Sequence, residues 1–226
     1  MNINEFKKKF NEIKKQGFIK TTRSGPTGIG HTLETILGVT ENNIALPDLV
    51  EAEIKAHRTR SKNLITLLTF NNKCWKMLPL KAVKKFGSKD KSGRVGLYYT
   101  MSLRPNSAGL FLDINDKEIS VKHISGKIVA TWQLKKLAER FMQKIPAMIY
   151  VSAFTEERDG KEYFRFYRAQ LMRGTSPELL ENQFKEENIL VDLRLHDKGT
   201  MARNHGTGFR VYEDKLPSLF KSIKDL

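Results

Sequence analysis

The sequence has only one cysteine, Cys74, and this scarcity excludes two classes of protein. A single thiol can form neither an intramolecular disulfide framework nor a cysteine-based zinc site. Long hydrophobic runs are also lacking, since Leu64–Leu68 and the interrupted Ala147–Phe154 fall well short of the roughly twenty apolar residues of a membrane helix. No apolar signal-peptide core follows the charged segment Met1–Phe10. We therefore expect a folded cytoplasmic protein that does not enter a membrane.

Three common catalytic motifs are incomplete. Gly25–Thr32 approaches a phosphate-binding Walker A loop, but His31 stands where that loop needs a lysine. The five histidines show no His-Glu-x-x-His spacing, which argues against a zinc hydrolase. Arg203–His205 matches only a fragment of the HNH nuclease motif. Nucleotide hydrolysis and zinc-dependent hydrolysis are therefore disfavoured.

Acidic residues are too few to balance the basic ones. The chain has 25 Asp and Glu against 40 Lys and Arg, which gives a formal net charge of +15. The basic excess is spread over the whole length, so a broad basic surface is expected rather than a basic tail. Such a surface suits nucleic acid first and an acidic membrane surface second. A lysine run such as Lys7–Lys9 can equally be the solvated face of an amphipathic helix.

Hydrophobic periodicity predicts an α/β (α+β) chain with a mixed central sheet flanked by helices. We interpret residues 1–226 as a single domain with two lobes around a cleft. Helices are expected near residues 3–17, 29–37, 77–86, 134–141, after the capping residue Ser176, and at 216–223. A short extended piece is expected at 44–48, and strands are expected at 51–57, 64–70, 98–103, 189–196 and 207–212, with a polar loop at 197–206. The strands expected at 110–114, 118–124 and 127–132 should form an antiparallel meander, and those at 148–154 and 163–172 should form a hairpin around the turn signal Asp159-Gly160.

The most informative segment runs from Pro47 to Lys55. Residues two apart on a strand share a face, so Glu53 and Lys55 should lie together, opposite the apolar Ile54. Asp48, just before the strand, can turn its carboxylate towards Glu53. Two carboxylates beside an ammonium group suit Mg²⁺ and the hydrolysis of a phosphodiester. The alternative is a solvated charged strand, because Asp-x₄-Glu-x-Lys also occurs by chance.

Glu34 is a further candidate, since it borders the buried stripe of the second predicted helix. A carboxylate at that position could face the sheet that carries Asp48 and Glu53. Converging carboxylates repel one another unless a cation lies between them, which again favours a divalent metal. The alternative is an ordinary surface glutamate.

The pattern Gly28-Ile29-Gly30-x-x-Leu33-Glu34, followed by Leu37-Gly38, Pro47-Asp48-Leu49 and Glu53-Ile54-Lys55, resembles the MvaI/BcnI type of restriction endonuclease. This group is related to the MutH mismatch-repair nicking enzyme. The likeness includes the distal segment His205–Arg210 and spans most of the chain. Asp48…Glu53-x-Lys55 is shared by many PD-(D/E)XK nucleases, and the glycine-containing helix narrows the match to this branch. The short Asp48–Glu53 separation fits the restriction enzymes better than MutH.

The resemblance implies a restriction-endonuclease-like fold and a set of site residues. Asp48, Glu53 and the backbone carbonyl of Ile54 would hold Mg²⁺, with Mn²⁺ as a substitute. Lys55 would handle the attacking water, and Glu34 would support the metal site. A monomer would nick one strand at a time at a CCNGG-like site in double-stranded DNA, and a methyltransferase would protect the host.

Donors and acceptors on a projecting segment could read the bases, and residues 197–210 qualify. The predicted DNA contacts there are Lys198, Arg203, Asn204, His205, Thr207 and Arg210, and weaker candidates elsewhere are Arg58, Arg60, Lys85 and Lys89. The alternatives are a flexible basic loop, or an internal salt bridge that holds Arg210. Three functions stay open: a restriction endonuclease, a MutH-like nicking enzyme and a non-catalytic DNA-binding protein.

Overall fold

The computed structural model describes residues 1–39, 52–59, 63–71 and 73–226, which divide into two compact units. The first unit comprises Met1–Lys62, Phe141–Gly174 and Phe220–Leu226, and the second comprises Asn63–Arg140 and Thr175–Leu219. The mixed α+β class is confirmed, although the strands form three sheets rather than one central sheet. Among the described residues, no helix is both long enough and apolar enough to cross a bilayer.

Five α-helices and fourteen strands are described. The helices are α1 (Ile3–Lys15), α2 (Gly28–Leu37), α3 (Pro79–Phe86), α4 (Leu134–Lys144) and α5 (Pro177–Lys185). The strands are β1 (Ile19–Lys20), β2 (Glu53–Arg58), β3 (Leu64–Thr69), β4 (Ser88–Lys89), β5 (Val95–Met101), β6 (Leu110–Ile114), β7 (Glu118–His123), β8 (Ile128–Gln133), β9 (Ala147–Arg158), β10 (Lys161–Arg173), β11 (Ile189–Asp197), β12 (Ala202–Asn204), β13 (Gly208–Tyr212) and β14 (Ser222–Asp225).

The first unit is built on a five-stranded sheet in the order β1-β10-β9-β2, with β14 also paired to β10. β9 and β10 form a long antiparallel hairpin, whereas β2 runs parallel to β9. Helices α1 and α2 cover one face of this sheet, and Phe6, Leu33, Ile54 and Val151 meet there in one buried cluster. Burying each such side chain contributes roughly 1.5–3 kcal/mol. Because β2 alternates, its other side chains project from the opposite face.

Local sequence signals explain both helices. Asn2 and Glu5 form a reciprocal capping box at the start of α1, and Phe6, Phe10 and Ile13 form its buried stripe. Helix α2 ends at Gly38, whose positive φ of 71° is the left-handed conformation that glycine adopts without strain. These signals mark the start of α1 and the end of α2, the helix that packs on β2.

The second unit contains a sheet in the order β3-β13-β11-β5-β4, with β12 paired to β11, and a separate meander β6-β7-β8. The meander matches the predicted one. Alternation along β11 buries Leu193 and Leu195 on one face and places Asp192, Arg194 and His196 on the other. The second unit therefore carries a polar face on its larger sheet.

Two sequence predictions in the C-terminal third were wrong. Residues 216–223 do not form an α-helix: Glu213–Leu219 is a 3₁₀-helix, and β14 follows it. Pro217 lies inside the predicted helix, where it has no N–H to donate, and Ile223 pairs with Met172 instead. The predicted loop 197–206 contains β12, which folds back antiparallel on β11. The extended piece predicted at residues 44–48 lies outside the described residues.

We expect Cys74 to resist alkylation in the native protein. Its side chain is buried, its thiol donates to the Asn71 carbonyl oxygen at 3.3 Å, and burial raises its pKa to about 11. The reactive thiolate is therefore scarce at pH 8. Labelling with iodoacetamide, followed by mass spectrometry, should be slow in buffer and rapid in guanidinium. Equal rates in both would contradict the buried thiol.

Candidate active site and nucleic-acid interface

Glu53 and Lys55 lie side by side on the face of β2 that points away from the core. The Lys55 ammonium is 2.8 Å from Glu53 Oε1, and the exposed fractions of the two side chains are 40% for Lys55 and 18% for Glu53. Ala52 and Ile54 on the opposite face are buried. The strand alternation predicted from the sequence thus produces a half-buried carboxylate next to an accessible cation.

Three side chains of the same sheet, those of His57, Tyr150 and Ser152, lie next to one another beside this pair. They were not predicted from the sequence. Tyr150 on β9 is the register partner of Lys55, and Ser152 is that of His57. The His57 ring stacks on Tyr150 at a centroid distance of 4.1 Å, and His57 Nε2 lies 2.6 Å from Ser152 Oγ. Nothing in the local sequence links residues 95 positions apart, so only the parallel β2–β9 pairing brings them together.

The other predicted metal-site residues are placed less completely. Glu34 is half-buried on α2, the helix whose Ile29 and Leu33 share the core cluster with Ile54. Asp48 lies outside the described residues. Within the described residues, no three His, Cys, Asp or Glu side chains are grouped to hold a metal ion. Glu53 nevertheless fits Mg²⁺, because its carboxylate is a hard oxygen donor that is still partly exposed.

Arginine side chains of the β9–β10 hairpin lie close to aromatic rings. The Arg158 guanidinium lies 5.6 Å from the Phe18 ring, and the Arg165 guanidinium lies 5.5 Å from the same ring. Arg165 is also 5.0 Å from the ring of Phe154, which stacks on Tyr167. Phe154 and Arg165 face the same side of the sheet as Lys55, because they alternate with the buried Ala153 and Phe164. This group of arginine and aromatic side chains was not predicted from the sequence.

Arg58 is engaged within the first unit. Its guanidinium donates to both carboxylate oxygens of Glu162 at 2.9 and 2.8 Å, and to the carbonyl oxygens of Pro26 and Gly25. It also lies 5.2 Å from the Phe164 ring. These contacts favour a structural role over the predicted DNA contact. Arg60, predicted with it, lies outside the described residues.

We therefore expect Arg58→Ala to lower stability more than DNA affinity. Losing a bidentate ion pair and two carbonyl contacts should reduce the free energy of unfolding by about 1–3 kcal/mol, measured in urea. Arg165→Ala is the matched control from the same sheet. It should have the opposite effect, with little change in stability and a measurable loss of affinity for duplex DNA. The same loss of stability in both variants would contradict this assignment.

Charged side chains also cluster on the polar face of the second unit. Asp192 accepts from Arg194 Nε at 2.9 Å and from Thr100 Oγ1 at 3.1 Å, and Arg210 Nη1 lies 3.6 Å from it. Arg210 also donates to the Leu64 carbonyl oxygen at 2.7 Å. The internal salt bridge considered for Arg210 is therefore present. Arg194, which sequence reasoning missed, is the more accessible of the two guanidinium groups, with 43% of its side chain exposed.

The predicted DNA-reading segment is more ordered than an ordinary loop. Asn204 Oδ1 accepts from the backbone N–H groups of Gly206 and Thr207, which fixes the turn between β12 and β13. Thr207 is fully buried, so it suits a role in that turn better than a direct contact with DNA. Lys198, Arg203 and His205 are exposed and remain available.

The predicted contacts Lys85 and Lys89 are also exposed, at the end of α3 and on β4. Lys127 lies close enough to Lys85 to lower the pKa of the Lys85 ammonium through hydrogen bonding and like charge. Two neighbouring ammonium groups attract an anion, so this pair suits a phosphate.

A family model described as the MvaI/BcnI restriction endonuclease family matches residues 7–220. The chain belongs to this family. The resemblance inferred from the glycine-containing helix and the Glu53-Ile54-Lys55 segment is confirmed. A comparison with curated proteins found no match.

Two solved structures share the fold of this MvaI/BcnI family member. The restriction endonuclease MvaI in complex with its cognate DNA substrate has a TM-score of 0.73 and 24% sequence identity, and the match covers 100% of this chain and 99% of that one. The same enzyme in the absence of DNA has a TM-score of 0.63 and 24% identity, with 100% and 98% covered.

Proposed function

We propose that this family member is a Mg²⁺-dependent type II restriction endonuclease that cuts double-stranded DNA at a short CCNGG-like site. Residues 1–226 would act as a single nuclease domain and as a monomer that nicks the two strands in turn. The observation that carries the proposal is the Glu53–Lys55 pair, which projects from the face of β2 opposite the core in a chain of net charge +15. Family membership and the similarity to a DNA complex of MvaI support it.

Each site residue has a role that its chemistry allows. Glu53 and Asp48, with the Ile54 carbonyl oxygen, would hold the metal, and Glu34 would support the site from α2. A bound Mg²⁺ supplies Lewis-acid polarisation of the phosphate and lowers the pKa of bound water. Lys55 orients the attacking water and places positive charge beside the phosphate. Tyr150, whose ring stacks on that of His57, is the register partner of Lys55 on the neighbouring strand.

Target reading is assigned to the polar face of the second unit. Arg194, Arg203 and Arg210 carry guanidinium groups that match the two major-groove acceptors of guanine. Lys198, Lys85 and Lys89 suit phosphate contacts, which position the protein without reading sequence. Because phosphate neutralisation releases counterions, the affinity should fall steeply with salt concentration.

Incubation of supercoiled plasmid with the protein and Mg²⁺ tests the proposal. We expect discrete linear fragments whose ends map to one sequence, transient open circles, and no product in EDTA. Open circles without linear product would indicate a MutH-like nicking enzyme, and binding without cutting in Mg²⁺ or Mn²⁺ would indicate a non-catalytic DNA-binding protein. A plasmid methylated at the mapped site should resist cutting if a methyltransferase is the functional partner.

A further inference from the structure

Two aromatic side chains on the polar face of the second unit converge on one ring nitrogen of a third. The Tyr98 hydroxyl is 3.2 Å from His196 Nδ1, and His205 Nε2 is 2.8 Å from the same atom. The two imidazole rings stack with centroids 4.7 Å apart. His196 is buried on β11, whereas His205 is exposed after β12. A buried histidine thus contacts a histidine of the predicted DNA-reading segment.

The backbone is shaped to allow this contact. Gly96 is the register partner of His196 on the neighbouring strand β5, and a Cβ atom at position 96 would overlap the Tyr98 ring. Glycine therefore lets the Tyr98 ring lie across the strand. On the other side, the backbone N–H of His205 donates to the Arg194 carbonyl oxygen at 2.7 Å, which holds His205 next to β11. That bond and the turn held by Asn204 fix the position of the His205 ring before any ligand binds.

The protonation state of His196 follows from its surroundings. Burial lowers its pKa, and the positive charges of Arg94, Lys198 and Arg203, together with His205, lower it further. The ring is therefore neutral at pH 7 and carries one proton. Its Nε2 is buried without a hydrogen-bond partner among the described residues. A buried N–H without an acceptor is rare and costly, so the proton belongs on Nδ1.

We propose that His196 is a positioning residue that holds the exposed His205 as a hydrogen-bond donor through Nδ1, aimed at an acceptor atom of a guanine base. If His196 Nδ1–H donates to His205 Nε2, that nitrogen of His205 must keep its lone pair. The proton of neutral His205 then lies on Nδ1, the nitrogen that is not turned towards His196. A donor at this place suits the N7 acceptor of guanine and does not suit the amino group of cytosine. The choice of ligand rests on the proposed function, whereas the tautomer does not.

The tautomer can be measured in the free protein. Long-range ¹H–¹⁵N correlation spectra at neutral pH should show His205 with a protonated Nδ1 and an unprotonated Nε2. In His196→Leu, His205 should change to the Nε2–H form that histidine favours in water. In His196→Asn, which is similar in size, the side-chain amide can still donate near the Nδ1 position, so the wild-type tautomer should return. An Nε2–H tautomer in the wild-type protein would overturn the proposal without reference to any variant.

Base recognition is tested separately, by binding in EDTA to duplexes that contain the mapped target. Replacing the target guanines one at a time by 7-deazaguanine removes the N7 acceptor. At one position the affinity of the wild-type protein and of His196→Asn should fall about 3- to 10-fold, and that of His196→Leu less than about twofold. Equal losses in all three proteins would overturn the role of His196 in recognition. If the protein neither binds nor cuts DNA, the proposed function fails, and the spectra still decide the tautomer.

Discussion

Lys55→Ala should abolish most DNA cleavage while leaving the fold intact. The Lys55 side chain is 40% exposed and projects away from the core, so its removal creates no cavity. Its ammonium group pairs with Glu53, and it is the group proposed to orient the attacking water. Positioned proton-transfer groups typically contribute about 10²–10⁴-fold to a rate, so we expect kcat to fall by about that factor. Single-turnover cleavage of a labelled duplex measures it.

Two further variants test whether the loss of cleavage is specific to the ammonium group of Lys55. Lys55→Arg keeps the charge but changes the shape of the donor, so it should recover DNA binding without recovering the cleavage rate. Lys122→Ala is the matched control, because Lys122 also lies on a strand and pairs with a carboxylate, that of Asp113, at 3.3 Å. It should cut at the wild-type rate. Comparable losses in Lys55→Ala and Lys122→Ala would show that Lys55 has no special role.

The sequence predicted those parts of the fold that depend on local signals. The stripe of α1 and the turn between β9 and β10 are each encoded within a few residues, and both were predicted where they occur. The prediction of a C-terminal α-helix was wrong because it followed the spacing of the apolar residues, whereas Pro217 disfavours an α-helix there. β12 was missed because a three-residue strand has too few residues to show alternation.

The candidate site was predictable only in part, because only part of it is formed by residues that are close together in the sequence. Glu53 and Lys55 share a strand, so the two-residue period places them together. The contacts among Tyr150, His57 and Ser152 depend on which distant strand pairs with β2, and no local pattern reveals that pairing. Arg58 was predicted to contact DNA because it is basic and close to the site. Its side chain instead forms an ion pair with Glu162 of another strand of the sheet.

Glu53→Gln should be as damaging to cleavage as Lys55→Ala but should differ from it in DNA binding. The amide keeps the size of the side chain and removes the charged oxygen proposed as a metal ligand. Because a catalytic metal stabilises the transition state by several kcal/mol, we expect cleavage in Mg²⁺ to fall by about three orders of magnitude. Mn²⁺, which such sites bind more tightly, should restore part of the activity. Quenched-flow or gel assays over a series of metal concentrations measure both effects.

Binding in EDTA separates this variant from a merely damaged protein. Removing a carboxylate from beside the position proposed for the scissile phosphate removes a repulsion, so Glu53→Gln should bind duplex DNA at least as tightly as the wild type. Lys55→Ala, which removes a cation, should bind less tightly. Glu118→Gln is the matched control, since Glu118 is likewise half-buried at the first position of its strand. If Glu53→Gln cut DNA normally in Mg²⁺, the metal-dependent mechanism would have to be placed on other residues.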